Sequence, residues 1–388
     1  MTNEVTQKTT SDEQNVSSSN GLEPSLRFSN FSDHWKEYRF DNVCKINPYT
    51  DELPREFYYI DLECVESGQI TSALPLLHKE NAPSRAQRLL KKDDILYQMV
   101  RPYQKNNYYF SKLRSKPTVA STGYAQLRCD KNCSRFIYQL LHTEKLVLNA
   151  MRRSTGTGYP AVNSSDLAEI KIALPSLPEQ EKIAAFLSLV DAQIEKQRQL
   201  VEALKKYKRG LLSAIFDHIS GNEKTTLGSI CNITTGKLDA NAMVDGGAYR
   251  FYTCAKEYFQ IDTYAFDTDA LLISGNGANV GYIHHYNGKF NAYQRTYVLD
   301  SFKKNIMYIY YYLEAKLHPR IEAEKKAGNT PYIVLSTLSD MEIIVPNPTK
   351  QESIAQLLCK FDKFIKAESY TLELYQKQKD GLLQQMFI

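Results

Sequence analysis

The most regular feature of the chain is a stripe of apolar side chains that recurs alternately every four and three positions, and it occurs twice. The first stripe is Ile183, Leu187, Val190, Ile194, Val201, Leu204, Leu211 and Ile215. The second is Ile354, Leu358, Phe361, Ile365, Leu372, Tyr375, Leu382 and Met386. This spacing keeps one narrow face apolar over about 35 to 40 residues, which predicts two long helices paired through a coiled-coil seam. Ordinary core helices are the alternative, but the length and the charged flanks on both sides favour the seam. Polar residues interrupt both stripes at matching places, Gln197 and Lys208 in one, Glu368 and Lys379 in the other. At a rise of about 1.5 Å per residue, such a helix spans about 55 Å.

The two stripes are copies of each other. A shift of 171 residues aligns 160–216 with 331–387 without a gap, and the identical pairs include Pro175/Pro346, Gln180/Gln351, Ile183/Ile354, Asp191/Asp362, Gly210/Gly381 and Phe216/Phe387. The segments before the helices, about 35–174 and 226–345, match only at their edges. Phe40-Asp41-Asn42-Val43 corresponds to Leu227-Gly228-Ser229-Ile230 and reads as a strand-like opening in each. Arg152-Arg153, Gly156 and Pro160 correspond to Lys325-Lys326, Gly328 and Pro331, and the alternating Ile170, Ile172 and Leu174 to Met341, Ile343 and Val345. Between the edges lie short β-type runs such as 94–97 and 270–273, separated by Gly, Asn and Pro turns, with little in common.

The pattern predicts an α+β chain, with two globular α/β domains alternating with two long helices packed as an antiparallel coiled coil in a pseudo-twofold repeat. The divisions are a disordered polar tail at 1–25, a first domain at 26–174, a central helix at 175–220, a second domain at 221–345 and a distal helix at 346–388. A length of 388 residues with 43% hydrophobic content supplies enough apolar material for two or three cores.

Composition narrows the chemistry. The 7 cysteines are odd in number and lack paired CxxC spacing, so they read as reduced, mostly buried thiols and not as zinc ligands. No stretch approaches the roughly 20 apolar residues of a membrane span and the opening is polar, which points to the cytoplasm and to no membrane partner. The net charge of +4 is small, and the basic excess falls in 35–174. That excess alone does not separate nucleic-acid binding from ordinary surface chemistry.

Three motifs suggest chemistry and fall short of it. Gly275-Asn276-Gly277-Ala278-Asn279-Val280-Gly281 follows an apolar run, but 282–286 reads as another strand where a dinucleotide site needs a helix. A loop between strands is the expectation. Asn47-Pro48-Tyr49 has one proline where adenine methyltransferases have two, and no glycine motif accompanies it. Adjacent His284 and His285 point to opposite faces of a strand, which disfavours a shared metal. No catalytic constellation and no metal site emerges.

Three stretches stand out: Pro24, Leu26, Arg27, Phe28, Phe31 and Trp35 near the start; the central run 174–184 (Leu-Pro-Ser-Leu-Pro-Glu-Gln-Glu-Lys-Ile-Ala) with Lys208-Arg209-Gly210-Leu211-Leu212; and, toward the end, Gln351-Glu352-Ser353-Ile354-Ala355 with Asp380-Gly381-Leu382-Leu383. In these stretches the chain resembles the specificity (S) subunits of type I restriction-modification systems. Thr349-Lys350 departs from the family's acidic or proline character. The resemblance implies a non-catalytic subunit whose two domains each bind half of a bipartite, asymmetric site in double-stranded DNA. It implies further that the helices fix the gap and dock two methylation subunits, with restriction subunits joining through the complex. The chain itself then needs no cofactor, and S-adenosylmethionine, ATP and Mg belong to the partners. A lone methyltransferase or nuclease and a protein-only scaffold are the competing readings.

Phosphate contacts call for Lys and Arg on loops, and base-edge contacts for Arg, Asn and Gln. In the first domain this singles out Arg85, Arg88, Arg101, Gln104, Lys105, Asn107, Arg152 and Arg153. In the second it singles out Asn276, Asn279, His285, Lys289, Gln294 and Arg295. The tyrosine-rich run 308–312 reads as a packed helix, not a base-stacking platform.

Overall fold

The computed structural model describes residues 22–156, 158–220, 223–324 and 332–388. Most of the predicted polar tail (1–21) and Lys325, Lys326, Gly328 and Pro331 lie outside the described residues. The chain divides into two compact units, 1–195 with 373–388, and 196–372.

In the first unit, strand Lys36–Arg39 runs antiparallel to Lys171–Leu174, whose Ile172 and Leu174 face the core. A four-stranded sheet is ordered Leu76–His78, Glu56–Ile60, Thr118–Ser121, Ala86–Leu89, with its two middle strands parallel. A second, ordered Lys45–Ile46, Tyr124–Arg128, Ile95–Gln98, Tyr108–Tyr109, is antiparallel throughout. Helices Ser134–Leu140 and Glu144–Arg153 close the core. The last turn of the distal helix completes it. Phe387 lies 4.9 Å from Phe136 and 6.3 Å from Trp35 between ring centroids, and Leu383 and Met386 are buried beside it.

The second unit repeats the edge and changes the middle. Strand Glu223–Thr226 pairs antiparallel with Glu342–Val345, the repeat image of the pair above. Between them lies one six-stranded sheet, ordered Asn232–Thr235, Thr296–Asp300, Phe266–Ser274, Ile283–Ala292, Tyr249–Tyr252, Phe259–Ile261. One face carries Leu271, Ile273 and Leu299 and packs on helix Ile306–Glu324, joined by Leu212 and Phe216 from the end of the central helix. The tyrosine run is helical, as its apolar spacing predicts, with Tyr308, Tyr311 and Tyr312 buried in this core.

The long helices are Leu177–Asp217 and Pro348–Met386, of 41 and 39 residues. In the first unit Lys379 sits 2.6 Å from Asp191 and Gln193 donates to Tyr375 at 3.3 Å. In the second, Gln197 donates to the Glu368 carboxylate at 2.6 Å, Lys208 sits 2.6 Å from Asp362, and Tyr207 stacks on Phe361. Within each unit the partner's number falls as the central helix advances, so the helices are antiparallel. Along the predicted seam Ile183, Leu187, Ile194, Val201, Ile354 and Leu358 are buried. Val190, Leu204, Leu211, Phe361, Ile365, Leu372, Tyr375 and Leu382 are half-buried. The ends of the stripes do double duty, because Ile183 and Leu187 belong to the first unit's core and Ile354 and Leu358 to the second's.

Two expectations are corrected. The strand-like openings are short helical turns, Phe40–Asn42 and Leu227–Ile230, because Phe40 with Val43 and Leu227 with Ile230 place buried groups three apart, one turn's separation. The cysteines are not all free: Cys44 and Cys129 form a disulfide. The antiparallel register that pairs Lys45 with Arg128 carries the flanking cysteines into reach, which sequence spacing does not reveal. Among the described residues no helix is long and apolar enough to cross a membrane, and no cluster of His, Cys, Asp or Glu is arranged to hold a metal.

Candidate nucleic-acid interface

In the first domain the buried strand Ile95–Gln98 leads into a tight turn at Arg101–Lys105 that packs against helix Glu144–Arg153. Arg101 and Lys105 both adopt φ 54°, a left-handed conformation that costs a non-glycine residue about 1 kcal/mol or more. The backbone N–H of Arg101 donates to Pro160 at 2.7 Å, and its guanidinium lies 4.3 Å from the ring centre of Tyr159, an exposed side chain. Arg101, Gln104 and Lys105 are thereby brought onto one surface with Tyr159.

Their bonding separates the candidates. Lys105 is paired with Glu144 at 2.6 Å, and Gln104 accepts from Gln98 at 2.9 Å. Asn107 is 1% exposed and its Oδ1 accepts from the Gln98 backbone, so it holds the strand together and does not face solvent as the sequence suggested. Arg153 donates to the Asn149 carbonyl one turn back, while Arg152 and Arg85 are exposed. Arg88 is half-buried, and burial pulls its guanidinium below the ordinary range with no acid beside it. Asn47 bridges Ser164 and the Gln126 backbone, a structural role in place of the methyltransferase-like one.

In the second domain the glycine-rich segment joins antiparallel strands Phe266–Ser274 and Ile283–Ala292, as expected of a loop between strands. Gly277 and Gly281 take φ 79° and 80° there. Asn276 accepts from the Cys254 thiol at 3.1 Å and Asn279 donates to the Cys254 carbonyl at 3.0 Å, which ties both asparagines to the neighbouring loop. His285 is 2.8 Å from Asp269, whereas His284, on the opposite face, bonds to the Ala255 carbonyl and is held below the usual imidazole range by burial. Gln294 and Arg295 are exposed, and Lys289 lies 4.7 Å from the Tyr264 ring centre.

The sheet face away from the helix carries a residue that sequence reasoning missed. Arg250 lies 4.3 Å from the ring centre of Tyr258 and 4.4 Å from that of Tyr286, and its Nη1 donates to the Tyr252 hydroxyl at 3.4 Å. The alternation of 249–252 is a signal that Arg250 and Tyr252 share a face. Tyr286 arrives only through the sheet register, in which Arg250 pairs with Phe290.

A family model described as "Type I restriction modification DNA specificity domain" matches residues 32–206 and 219–374. The chain is 40% identical over 132 residues to the EcoDI type I restriction enzyme specificity subunit of Escherichia coli, an alignment that covers 34% of this chain and 29% of that relative. It is 24% identical over 288 residues to the MjaVIII specificity subunit of Methanocaldococcus jannaschii, covering 63% of this chain and 68% of the other. The chain thus spans under a third of the first relative's length. The solved S subunit from M. genitalium superposes with a TM-score of 0.61 at 17% identity, covering 95% of this chain and 99% of that one. A chain solved in a study of type I R-M complex assembly gives 0.57 at 22% identity, over 91% and 97%. At these identities the two structures speak for the fold.

Proposed function

We propose, from the premise that this chain belongs to the type I restriction modification DNA specificity family, that it is the sequence-reading subunit of such a complex and is itself non-catalytic. Each domain reads one half of a bipartite, asymmetric DNA site. The observation that carries this is a duplicated frame with unlike middles. The edge strands, helix starts and interhelix ion pairs repeat, while two four-stranded sheets in one unit give way to a six-stranded sheet in the other. Selection for two different targets on one support produces that pattern.

The long helices set the unspecified gap between half-sites and dock two methylation subunits, with restriction subunits joining through them. S-adenosylmethionine, ATP and Mg are brought by those partners. A helix of 41 residues is about 60 Å long, enough to hold two readers a helical turn or more of DNA apart. Rigid linkage makes the second binding event intramolecular, so each domain needs only modest affinity.

The decisive experiment replaces residues 26–174 with the equivalent segment of a relative and maps the adenines methylated by the reconstituted complex. One half-site should change and the other persist; a change in both halves refutes the modular reading. Methyl transfer by the purified chain without partners would favour the enzyme reading instead.

A further inference from the structure

Two arginines of the first unit pair with buried carboxylates and hold its fold together. Arg128 makes a bidentate pair with buried Asp94, and Arg27 does the same with buried Glu179. Arg250 is built differently. Two tyrosine rings lie against its guanidinium and the Tyr252 hydroxyl accepts from Nη1. Tyr252, which takes that bond, is 2% exposed and packs in a small core with Phe290 and Leu272, so the clamp stands on a rigid base. Tyr258, on the outer side, is 45% exposed, which leaves the assembly open to solvent.

We infer that Arg250 is a specificity-determining residue of the second domain and reads a guanine through the in-plane donors of a guanidinium locked between Tyr258 and Tyr286. This rests on the DNA-reading function proposed above. Stacking fixes the plane of the fork while the N–H groups along its edge stay available. A planar fork matches a planar pair of acceptors, and in the major groove only guanine presents two adjacent acceptors, N7 and O6. Phosphate is met equally well by a mobile lysine and needs no such clamp. Rotamer freedom is already lost before DNA arrives, which lowers the entropic cost of the contact.

The test selects duplexes from a random library with the chain co-purified with its methylation subunits, comparing wild type, Arg250→Lys and Arg250→Gln. Wild type should enrich a two-part site. Both variants should lose the preference for guanine at one position of one half by about 10- to 100-fold and keep the other half intact. The intact half also reports that the variants are folded. A second measurement needs no variant: 7-deazaguanine at that position should weaken wild-type binding by a similar factor and leave Arg250→Gln unaffected. Uniform weakening with unchanged base preference would make Arg250 a phosphate contact and overturn the inference, as would unchanged selection or indifference to 7-deazaguanine. Failure of the wild-type complex to enrich any two-part site would instead overturn the recognition function itself, and this inference with it.

Discussion

The ammonium of Lys208 on the central helix lies 2.6 Å from the carboxylate of Asp362 on the distal helix. Its repeat image has the same form, with Lys379 2.6 Å from Asp191. Both lysines occupy positions where the apolar stripe breaks. A charge in a seam is costly unless its partner stands opposite it, so only one register satisfies each pair. These interruptions fix how the helices align, which a uniform apolar stripe leaves open to slippage by a heptad.

Lys208→Met should therefore destabilise the second unit. The lysine also bonds both oxygens of Glu314 at 2.9 Å, so its loss takes the cation from two acids at once, with the Tyr311 hydroxyl still donating to Asp362. Those acids are about a third exposed, which puts the expected cost near 2 kcal/mol, below the roughly 3–5 of a fully buried pair. Adding Glu314→Gln and Asp362→Asn should recover part of it, as measured by urea unfolding. Additive losses would show that the three groups are not coupled.

Glu314 gives a pH signature. Burial, the largest influence on it, raises its carboxyl above the ordinary 4.5 despite Lys208. A folded state that holds its proton more tightly than the unfolded state loses stability as pH rises through the interval between the two values. Relative to wild type, Glu314→Gln should gain stability on raising the pH from about 4.5 to neutrality. Parallel stability curves for the two proteins would contradict this.

His142 should act with the opposite sign in the first unit. Burial and the nearby Lys379 charge hold its imidazole down at about 4, against an ordinary 6.5. The unfolded chain then binds the extra proton between these values, so stability is complete above pH 6.5 and falls progressively as pH drops toward 4. His142→Gln should flatten that acid limb by about 2 kcal/mol, after allowance for partial exposure. Calorimetric melts between pH 4 and 7 give the slope directly.

Gln351 and Gln180 form a second matched set. Gln351 accepts from the Asn305 backbone at 3.1 Å and donates to the Pro346 carbonyl at 2.8 Å; Gln180 does the same with Cys133 and Pro175, at 3.1 and 3.0 Å. Each ties the start of a long helix to the start of a domain helix and to the preceding edge strand. Gln→Ala at either site should cost about 1–3 kcal/mol by leaving backbone groups unmade. Gln→Glu should cost more, since it turns a donor toward a carbonyl into a second acceptor. Equal stability of the Glu and Gln forms would remove this role.

The frame of the protein was legible because it rests on periodicity. The seam positions, the closing edge strands (Lys171–Leu174 and Glu342–Val345) and the matched Gln, Asp and Lys residues all follow from patterns that repeat at 171 residues. The openings at Phe40 and Leu227 were misassigned because a run of four residues does not separate a strand from a single helical turn; burial three positions apart decides it. The exposure of the candidate contact residues was only partly legible. Residue type marked Arg85, Arg152 and Arg295, which are exposed, but it also marked Asn107, whose burial depends on which strand lies across from it.

What the sequence determined by itself is the support, two long helices and a duplicated domain edge, because hydrophobic spacing and identity along a chain are one-dimensional facts, whereas the antiparallel sense of the helices rests on contacts such as Lys208–Asp362 and Lys379–Asp191. Tertiary structure alone decided the surfaces. Arg250 meets Tyr286, and Cys44 meets Cys129, only through sheet register, which joins residues dozens of positions apart and is set by packing of the whole domain. Surface chemistry depends on such neighbours, so the frame is written along the chain and the surfaces only in its fold.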